Sequence, residues 1–286
     1  MGMTDPLGDR MKALERAFAG TPIPPSAAIY ARIDGRGFSR FTRDMIRPFD
    51  PRMTRAMLSM AGHLLEETHA TAVYVQSDEV SLLWAPAIRH DLETGEIRAG
   101  EHFFAGQPMK IVSVLAGLAT AAFTRAVCAD TDGLADWAAR LPHFDARVVG
   151  MPDIDDAVAA IAWRGGDARR NGIRQLASAH FSPQQLHGKS TRAAIDMLSA
   201  KEVHLRDQPA ASLNGTLLRR ILVERVLTPA ERAAIPEAHR PPPEMRVKRH
   251  QTVAYSAMHP GRMTNLRAVL LDGAEPRRED VAARHA

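Results

Sequence analysis

Asp34 stands at the end of one apolar run and is followed at once by Gly35-Arg36-Gly37, while two adjacent acids, Asp78 and Glu79, stand between two further apolar runs. Carboxylates brought together without histidine or thiol partners suit hard cations, and Mg²⁺ in particular takes one or two carboxylates plus substrate phosphates. Two such ions about 4 Å apart clamp the attacking and leaving oxygens in phosphoryl or nucleotidyl transfer. Gly35 and Gly37 free the backbone to approach a ligand closely, so their N–H groups can hydrogen-bond a triphosphate, with Arg36 or Arg40 nearby for charge. Taken singly, Asp-Gly and Ser77-Asp78-Glu79 are ordinary turn chemistry. Their co-occurrence is what points to a metal-dependent nucleotide site.

The elements that must position these acids are legible from periodicity. Ala27 to Ile33 reads as a mostly buried strand that stops at Asp34. Asp50-Pro51 opens a helix whose Met53, Met57, Met60, Leu64 and Leu65 recur with a period near 3.6. The runs 72–75 and 80–84 form a tight hairpin tipped by Gln76-Ser77-Asp78-Glu79. Residues 86–107 form a polar excursion, and Met109 to Val127 is a periodic helix with Ile111, Val114, Leu115, Leu118 and Ala122 on one side. Phe144 to Met151 is a further strand, Asp153 caps a helix to about Trp163, and a second helix spans Asp167 to Ala179. Ser182-Pro183 starts another helix, Pro229 to Pro243 is loop-like, and Met245 to Ala254 is a last strand. These elements divide the chain into an N-terminal segment 1–26 with a short helix at Asp9–Ala17, a region 27–130 that carries the three acids, a C-terminal region 140–270 that completes the fold, and a loose tail 273–286.

With 45% apolar and 24% charged residues among 286, the chain has ordinary globular composition, which excludes disordered and fibrous classes. Cys128 is the single cysteine, so an internal disulfide and a cysteine-ligated zinc site are excluded and a reducing, cytoplasmic compartment is expected. The first residues lack an apolar signal-peptide core, and Ser113, Gly117 and Thr120 interrupt the most apolar stretch, so neither a signal peptide nor a membrane span is expected. A formal charge of +4 permits nucleic acid without demanding it. Arg169-Arg170, Arg219-Arg220 and Arg246-Val247-Lys248-Arg249 are basic clusters that fit either phosphate contacts or a solvated face.

Arg32-Ile-Asp-Gly-Arg-Gly-Phe-Ser-Arg-Phe41 resembles the R-[IL]-D-G-R-x-F-x-[RK]-F motif of the tRNA-His guanylyltransferase family, and Gln76-Ser-Asp-Glu-Val-Ser81 resembles its Q-S-D-E-x-S motif. Phe144-Asp-Ala-Arg-Val-Val149 is similar to the family's F-D-[GA]-R-V strand and Trp163-Arg-Gly-Gly-Asp167 to its W-R-x-x-D helix. The resemblance implies an α+β fold, with a polymerase-palm-like antiparallel sheet packed with helices and a C-terminal helical and strand extension. It implies an enzyme that adds nucleotides to the 5′ end of tRNA in the 3′-to-5′ direction: ATP activates a 5′-monophosphate, and the 3′-hydroxyl of GTP then attacks it. It implies that Asp34 and Asp78 bind Mg²⁺ with the Gly35 carbonyl, that Glu79 supports them as a third catalytic acid, and that Asp34, Gly35, Arg36, Gly37, Phe38 and Ser39, with Ser77 and Asp78, hold the triphosphate. Lys110 sits where the family has a basic residue for phosphate contact, and the alternative for it is a helix-end lysine lying along apolar surface. The resemblance makes 27–130 the palm-like catalytic region and 140–270 the region that contacts tRNA, with Arg169, Arg170 and Asn171 as candidate contacts, and it implies a homo-oligomer, a tetramer. Eukaryotic members carry H-I-N-N where this chain has Arg169-Arg170-Asn171-Gly172, so it is more similar to the bacterial and archaeal branch that repairs truncated tRNA 5′ ends by templated addition.

Other motifs carry less. His187-Gly188-Lys189-Ser190 resembles a P-loop, but Pro183 stands where the first glycine is required and a helix rather than a strand precedes it. Gly35-x-Gly37-x-x-Arg40 lacks the third glycine of a dinucleotide fingerprint, and the histidines show no zinc spacing. Two rival functions remain open on sequence: a GTP-using nucleotide cyclase with the same palm, and an inactive RNA-binding relative.

Overall fold

The computed structural model describes residues 20–90 and 97–278, with Leu7, Arg10, Met11, Ala13 and Leu14 of the N-terminal segment, all five helical. The rest of the helix expected at Asp9–Ala17, and residues 91–96 of the polar excursion, lie outside the described residues. In chain order the elements are β1 (Ala28–Gly35), α1 (Phe38–Phe41), α2 (Pro51–Glu67), β2 (Ala72–Gln76), β3 (Glu79–Trp84), β4 (Ile88–His90), β5 (Ile97–Ala99), α3 (Pro108–Cys128), β6 (Phe144–Met151), α4 (Ile154–His180), α5 (Pro183–Leu186), α6 (Thr191–Ser199), α7 (Ala210–Asn214), β7 (Thr216–Val226), α8 (Pro229–Ala233), β8 (Arg246–Tyr255) and α9 (Leu266–Leu271).

Six strands form one antiparallel sheet in the order β6-β1-β3-β2-β7-β8, and β4-β5 form a small separate ribbon. Helices cover both faces, giving the expected α+β class. On one face Met57, Met60, Leu64 and Leu65 of α2 and Ile111, Leu115 and Phe123 of α3 pack against Ile29, Ile33, Val73 and Leu82. On the other, Ile161 of α4 and Val269 and Leu270 of α9 pack against Tyr30, Tyr74 and Leu83. Every residue of β2 and β3 is buried, because a central strand covered on both sides has no solvent face on which to alternate. By length and composition alone α3 could cross a bilayer, but its apolar stripe is spent on this core.

Two expectations are corrected, the split helix and the loose tail. The two helices read on either side of Gly165-Gly166 are one continuous α4, capped by Asp153, whose side chain accepts from the Asp155 N–H at 2.8 Å. Gly165 is where the segment at Pro260 packs onto the helix: a Cβ there would lie 2.8 Å from Pro260 Cδ, so the glycine marks a close approach rather than a break. The C-terminal region completes the fold as expected: β7 pairs with β2 and β6 with β1, so regions 27–130 and 140–270 share one sheet. The tail is tied down as far as Arg278. Arg219, 2% exposed, donates from Nη2 to the carbonyls of Gly273 and Ala274 at 2.7 and 2.9 Å, and the Thr264 N–H donates to the Arg277 carbonyl at 3.0 Å. Residues 279–286 of the expected loose tail lie outside the described residues.

The glycine pair offers a direct check. A Cβ at Gly166 meets only the end of the Arg170 side chain at 3.5 Å. Gly166→Ala should therefore stabilise by about 0.5–1 kcal/mol through helix propensity, whereas Gly165→Ala should destabilise by about 1–3 kcal/mol through overpacking. Urea unfolding midpoints of the two variants measure both, and similar stabilisation by both would contradict the close packing at Gly165.

Candidate active site at the tip of the central hairpin

The antiparallel pairing of β1 and β3 sets Asp34 opposite Glu79. At the tip the Gly35 N–H donates to the Asp78 carbonyl at 3.0 Å, stapling the end of β1 to the β2–β3 turn. Ser77 sits in that turn at φ 48, a left-handed conformation that a non-glycine residue adopts at some cost in strain. Beneath the loop the Phe38 ring leaves no room for a side chain on residue 35, where a Cβ would lie 2.4 Å from Phe38 Cδ2. Phe38 is itself held in an aromatic cluster with Phe41, Phe123 and Phe144, at centroid distances of 5.1, 5.5 and 4.9 Å. Gly37, at φ 66, turns the chain into α1.

The acids do not behave as three equals. Glu79 is 8% exposed, and both its oxygens are engaged: Arg164 Nε donates to Oε1 and Nη2 to Oε2, each at 2.6 Å, and Gln76 Nε2 donates to Oε1 at 3.0 Å. Arg164, 7% exposed, also binds Asp167, which in turn holds Arg170. Among the described residues no group of three histidine, cysteine or acidic side chains is arranged to hold a metal ion, and Glu79, expected to support Asp34 and Asp78, is paired with Arg164 instead. Asp34 and Asp78 have no ion-pair partner among the described residues and line one cavity of about 660 Å³. Burial, then the negative charge of Glu79, pushes the Asp34 carboxyl above its usual range, against the pull of Arg32. Burial likewise raises Asp78, with the charges of Asp34 and Glu79 adding to it against hydrogen bonds from its own backbone and from Ser77.

The same cavity is lined by Ser39 and Thr42 near α1, Met45 to Asp50, Met53 and Met57 of α2, Ser77, Asn171 and Gln175 of α4, Ser212 and Thr216. Asp50 is fixed there by the Ile46 N–H at 3.1 Å and by Arg52 Nη2 at 2.7 Å. Of the residues singled out from sequence, Asp34, Phe38, Ser39, Ser77, Asp78, Glu79 and Asn171 meet at this cavity. Arg36 and Gly37 instead line a second cavity with Arg40, Arg43 and His143, because the Arg36 N–H is drawn to the His143 carbonyl at 3.0 Å. Lys110 is exposed at the start of α3, its ammonium 4.9 Å from the centroid of the Phe104 ring, and lines neither cavity. Arg169 donates to Asn214 Oδ1 at 3.1 Å, outside the first cavity, and Arg170 lines a third with Asn171. Sequence reasoning missed Arg164 as a partner of Glu79, although its place in Trp163-Arg-Gly-Gly-Asp167 was a signal, and it missed the apolar wall from Met45 to Phe49.

An antiparallel sheet thus presents two carboxylates, without ion-pair partners among the described residues, beside a cavity of about 660 Å³, a donor set that suits a phosphate-bearing ligand with a divalent cation. The tRNA-His guanylyltransferase family (Thg1) matches residues 8–152, just over half of the 286 residues, and the chain belongs to that family of nucleotidyltransferases. It is 27% identical over 210 residues to a protein of Acanthamoeba polyphaga mimivirus, covering 68% of this chain and 70% of the other. It is 27% identical over 159 residues to the tRNA(His) guanylyltransferase of Schizosaccharomyces pombe, spanning 52% of each chain, about half the length of that relative. A bacterial tRNA(His) guanylyltransferase-like protein solved in complex with ATP matches with TM-score 0.64 and 29% identity, over 74% of this chain and 88% of that one. A second, in complex with GTP, matches with TM-score 0.61 over 87% and 91%, and at 24% identity it shows the fold alone.

Two outcomes follow for stability. Arg164→Met leaves Glu79 buried without its partner and should destabilise by about 3–5 kcal/mol, with Glu79→Gln added to it restoring much of the loss in a double-mutant cycle; additive losses would contradict the pairing. Asp78 has its carboxyl raised in the folded state, so its charge opposes folding more as pH climbs from the ordinary carboxylate range through the raised value. Without divalent metal, Asp78→Asn should therefore melt at or above the wild-type temperature at pH 7, and the gap should close towards pH 4 as the native carboxyl protonates. A variant melting well below wild type at pH 7 would contradict the uncompensated charge.

Proposed function

We propose that this protein is a Mg²⁺-dependent nucleotidyltransferase that adds guanosine, or template-directed nucleotides, to the 5′ end of tRNA in the 3′-to-5′ direction. The observation that carries the reading is the convergence of Asp34 and Asp78 on one cavity without an ion pair among the described residues, while Glu79 is neutralised by Arg164. Two carboxylates crowded into a partly buried wall repel one another and favour a divalent cation between them. The donor set fits Mg²⁺, which needs only one or two protein carboxylates beside substrate phosphates, with the Gly35 carbonyl as a further oxygen ligand. Bound there, the metal supplies charge neutralisation for the attacking and leaving oxygens of nucleotidyl transfer.

The chain's own residues do the rest. Asp34 and Asp78 hold the cation, and Ser39 and Ser77 offer hydroxyl donors to a triphosphate along the same wall. The apolar stretch containing Met45, Pro48 and Phe49 closes the cavity and suits a purine ring. Arg164 keeps Glu79 neutralised so that the hairpin tip stays in place and the two aspartates keep their positions. Arg36 and Lys110, which lie off this cavity, keep a proposed role only toward substrate that extends beyond the nucleotide. Likeness to a bacterial guanylyltransferase-like protein solved with ATP supports ATP as activator, and membership of the guanylyltransferase family supports GTP as incoming nucleotide. Arg169-Arg170-Asn171-Gly172 in place of the eukaryotic H-I-N-N supports templated repair of truncated 5′ ends over strict tRNA-His specificity. A homo-oligomer, tetrameric by family likeness, and a cytoplasmic location belong to the same proposal.

Purified protein given a panel of 5′-truncated tRNAs with ATP, GTP and CTP tests this, the extended ends being sequenced. Wild type should restore the missing nucleotides opposite the 3′ strand only when Mg²⁺ is present, and Asp78→Asn should lose at least about 100-fold in rate, the order expected when a group stabilising transition-state charge is removed. Extension unchanged in Asp78→Asn would defeat the reading, and a cyclic product from GTP alone would replace it with a cyclase.

A further inference from the structure

The P-loop-like His187-Gly188-Lys189-Ser190 ends at α6, which Ser190 caps by accepting from the Ala193 N–H at 3.1 Å. Pro183 and the short α5 before it rule out a nucleotide-cradling loop, yet Lys189 reaches a cavity of about 420 Å³ between the start of α6 and the outer face of α4. Arg170, Asn171 and Arg174 face it from α4, and Lys189, Ser190 and Thr191 from the other side. No acid lines it. Arg170 is held by Asp167, but Arg174 and Lys189 make no ion pair among the described residues. Hydroxyl and amide groups add donors, and buried Ile173, Ala177 and Ala194 form an apolar floor that cannot compensate the charge. Asn171 lines both this cavity and the nucleotide cavity, so whatever binds here lies next to the proposed active site.

We propose that this cavity is a phosphate-binding site, centred on Arg174 and Lys189, for a phosphate of the RNA backbone or of free polyphosphate. A guanidinium fork beside a mobile ammonium, with neutral donors and no competing carboxylate, matches a phosphate oxygen set and rejects cations. The RNA source rests on the function proposed above, since Asn171 joins the two cavities and gives a strand whose 5′ end enters the nucleotide cavity a short path to this one. The phosphate chemistry itself does not.

Exposed Arg174→Gln and Lys189→Gln, combined in one variant, leave the core untouched. Three titrations of wild type and variant decide the matter: 5′-truncated tRNA across about 50 to 200 mM salt, inorganic tripolyphosphate in the presence of EDTA, and GTP with Mg²⁺. If the site holds RNA, tRNA affinity falls about tenfold or more near 0.1 M salt and the slope of log affinity against log salt shrinks by about 1–2, with GTP affinity unchanged. If tripolyphosphate binding is lost while tRNA binding keeps its affinity and slope, the site belongs to a free polyphosphate. Unchanged binding of both overturns the proposal. Should wild type bind no tRNA, the functional reading fails, and the tripolyphosphate titration alone judges the site.

Discussion

The site depends on one ion pair. Arg164 meets Glu79 with two hydrogen bonds of 2.6 Å inside the protein, and the desolvation of both groups is offset only because the geometry is good and Gln76 and Asp167 satisfy further atoms. Three acids would otherwise stand together at the tip of a buried hairpin. By neutralising one of them from the middle of α4, Arg164 lets the β2–β3 turn remain packed and leaves Asp34 and Asp78 as an uncompensated pair. The proposed cation site is thus held together by satisfying its third carboxylate, while the other two have no ion pair among the described residues.

That arrangement explains why α4 is so long and why it crosses Gly165-Gly166 without breaking. Its first half packs on the sheet through Ala157 and Ile161, Arg164 enters the site, and its second half packs with α6 through Ile173, Leu176 and Leu198. One rigid element therefore carries the counter-charge, a wall of the nucleotide cavity at Asn171 and Gln175, and the basic face beyond it. The aromatic cluster under Gly35 does the equivalent for the other loop, where only a residue without a side chain fits against Phe38.

Much of this was legible in the sequence. The buried strand ending at Asp34, the capped helix after Asp50 and the hairpin tipped by Ser77-Asp78 follow from local periodicity and turn chemistry, and the structure has each of them. The features that escaped local reading are set by contacts distant in the chain. Gly165-Gly166 looks like a breaker unless Pro260 is known to press on it. Arg219-Arg220 looks like a surface cluster and hides β7, because Arg219 is buried to hold the carbonyls of Gly273 and Ala274. Arg36 looks like a ligand of the nucleotide until the pairing of its N–H with His143 draws that part of the loop to another cavity. Adjacency of Asp78 and Glu79 likewise hid their difference, since successive residues at a hairpin tip point to different surroundings.

The central claim is that Asp34 and Asp78, and not Glu79, form the cation site that nucleotide binding depends on. Titrating GTP into the protein by calorimetry, with and without Mg²⁺, in wild type and in Asp34→Asn and Asp78→Asn, tests it most directly. Mg²⁺ should tighten GTP binding to wild type, and that metal-dependent increment should vanish in both variants while metal-free binding persists. An increment of the same size in all three proteins would contradict the account.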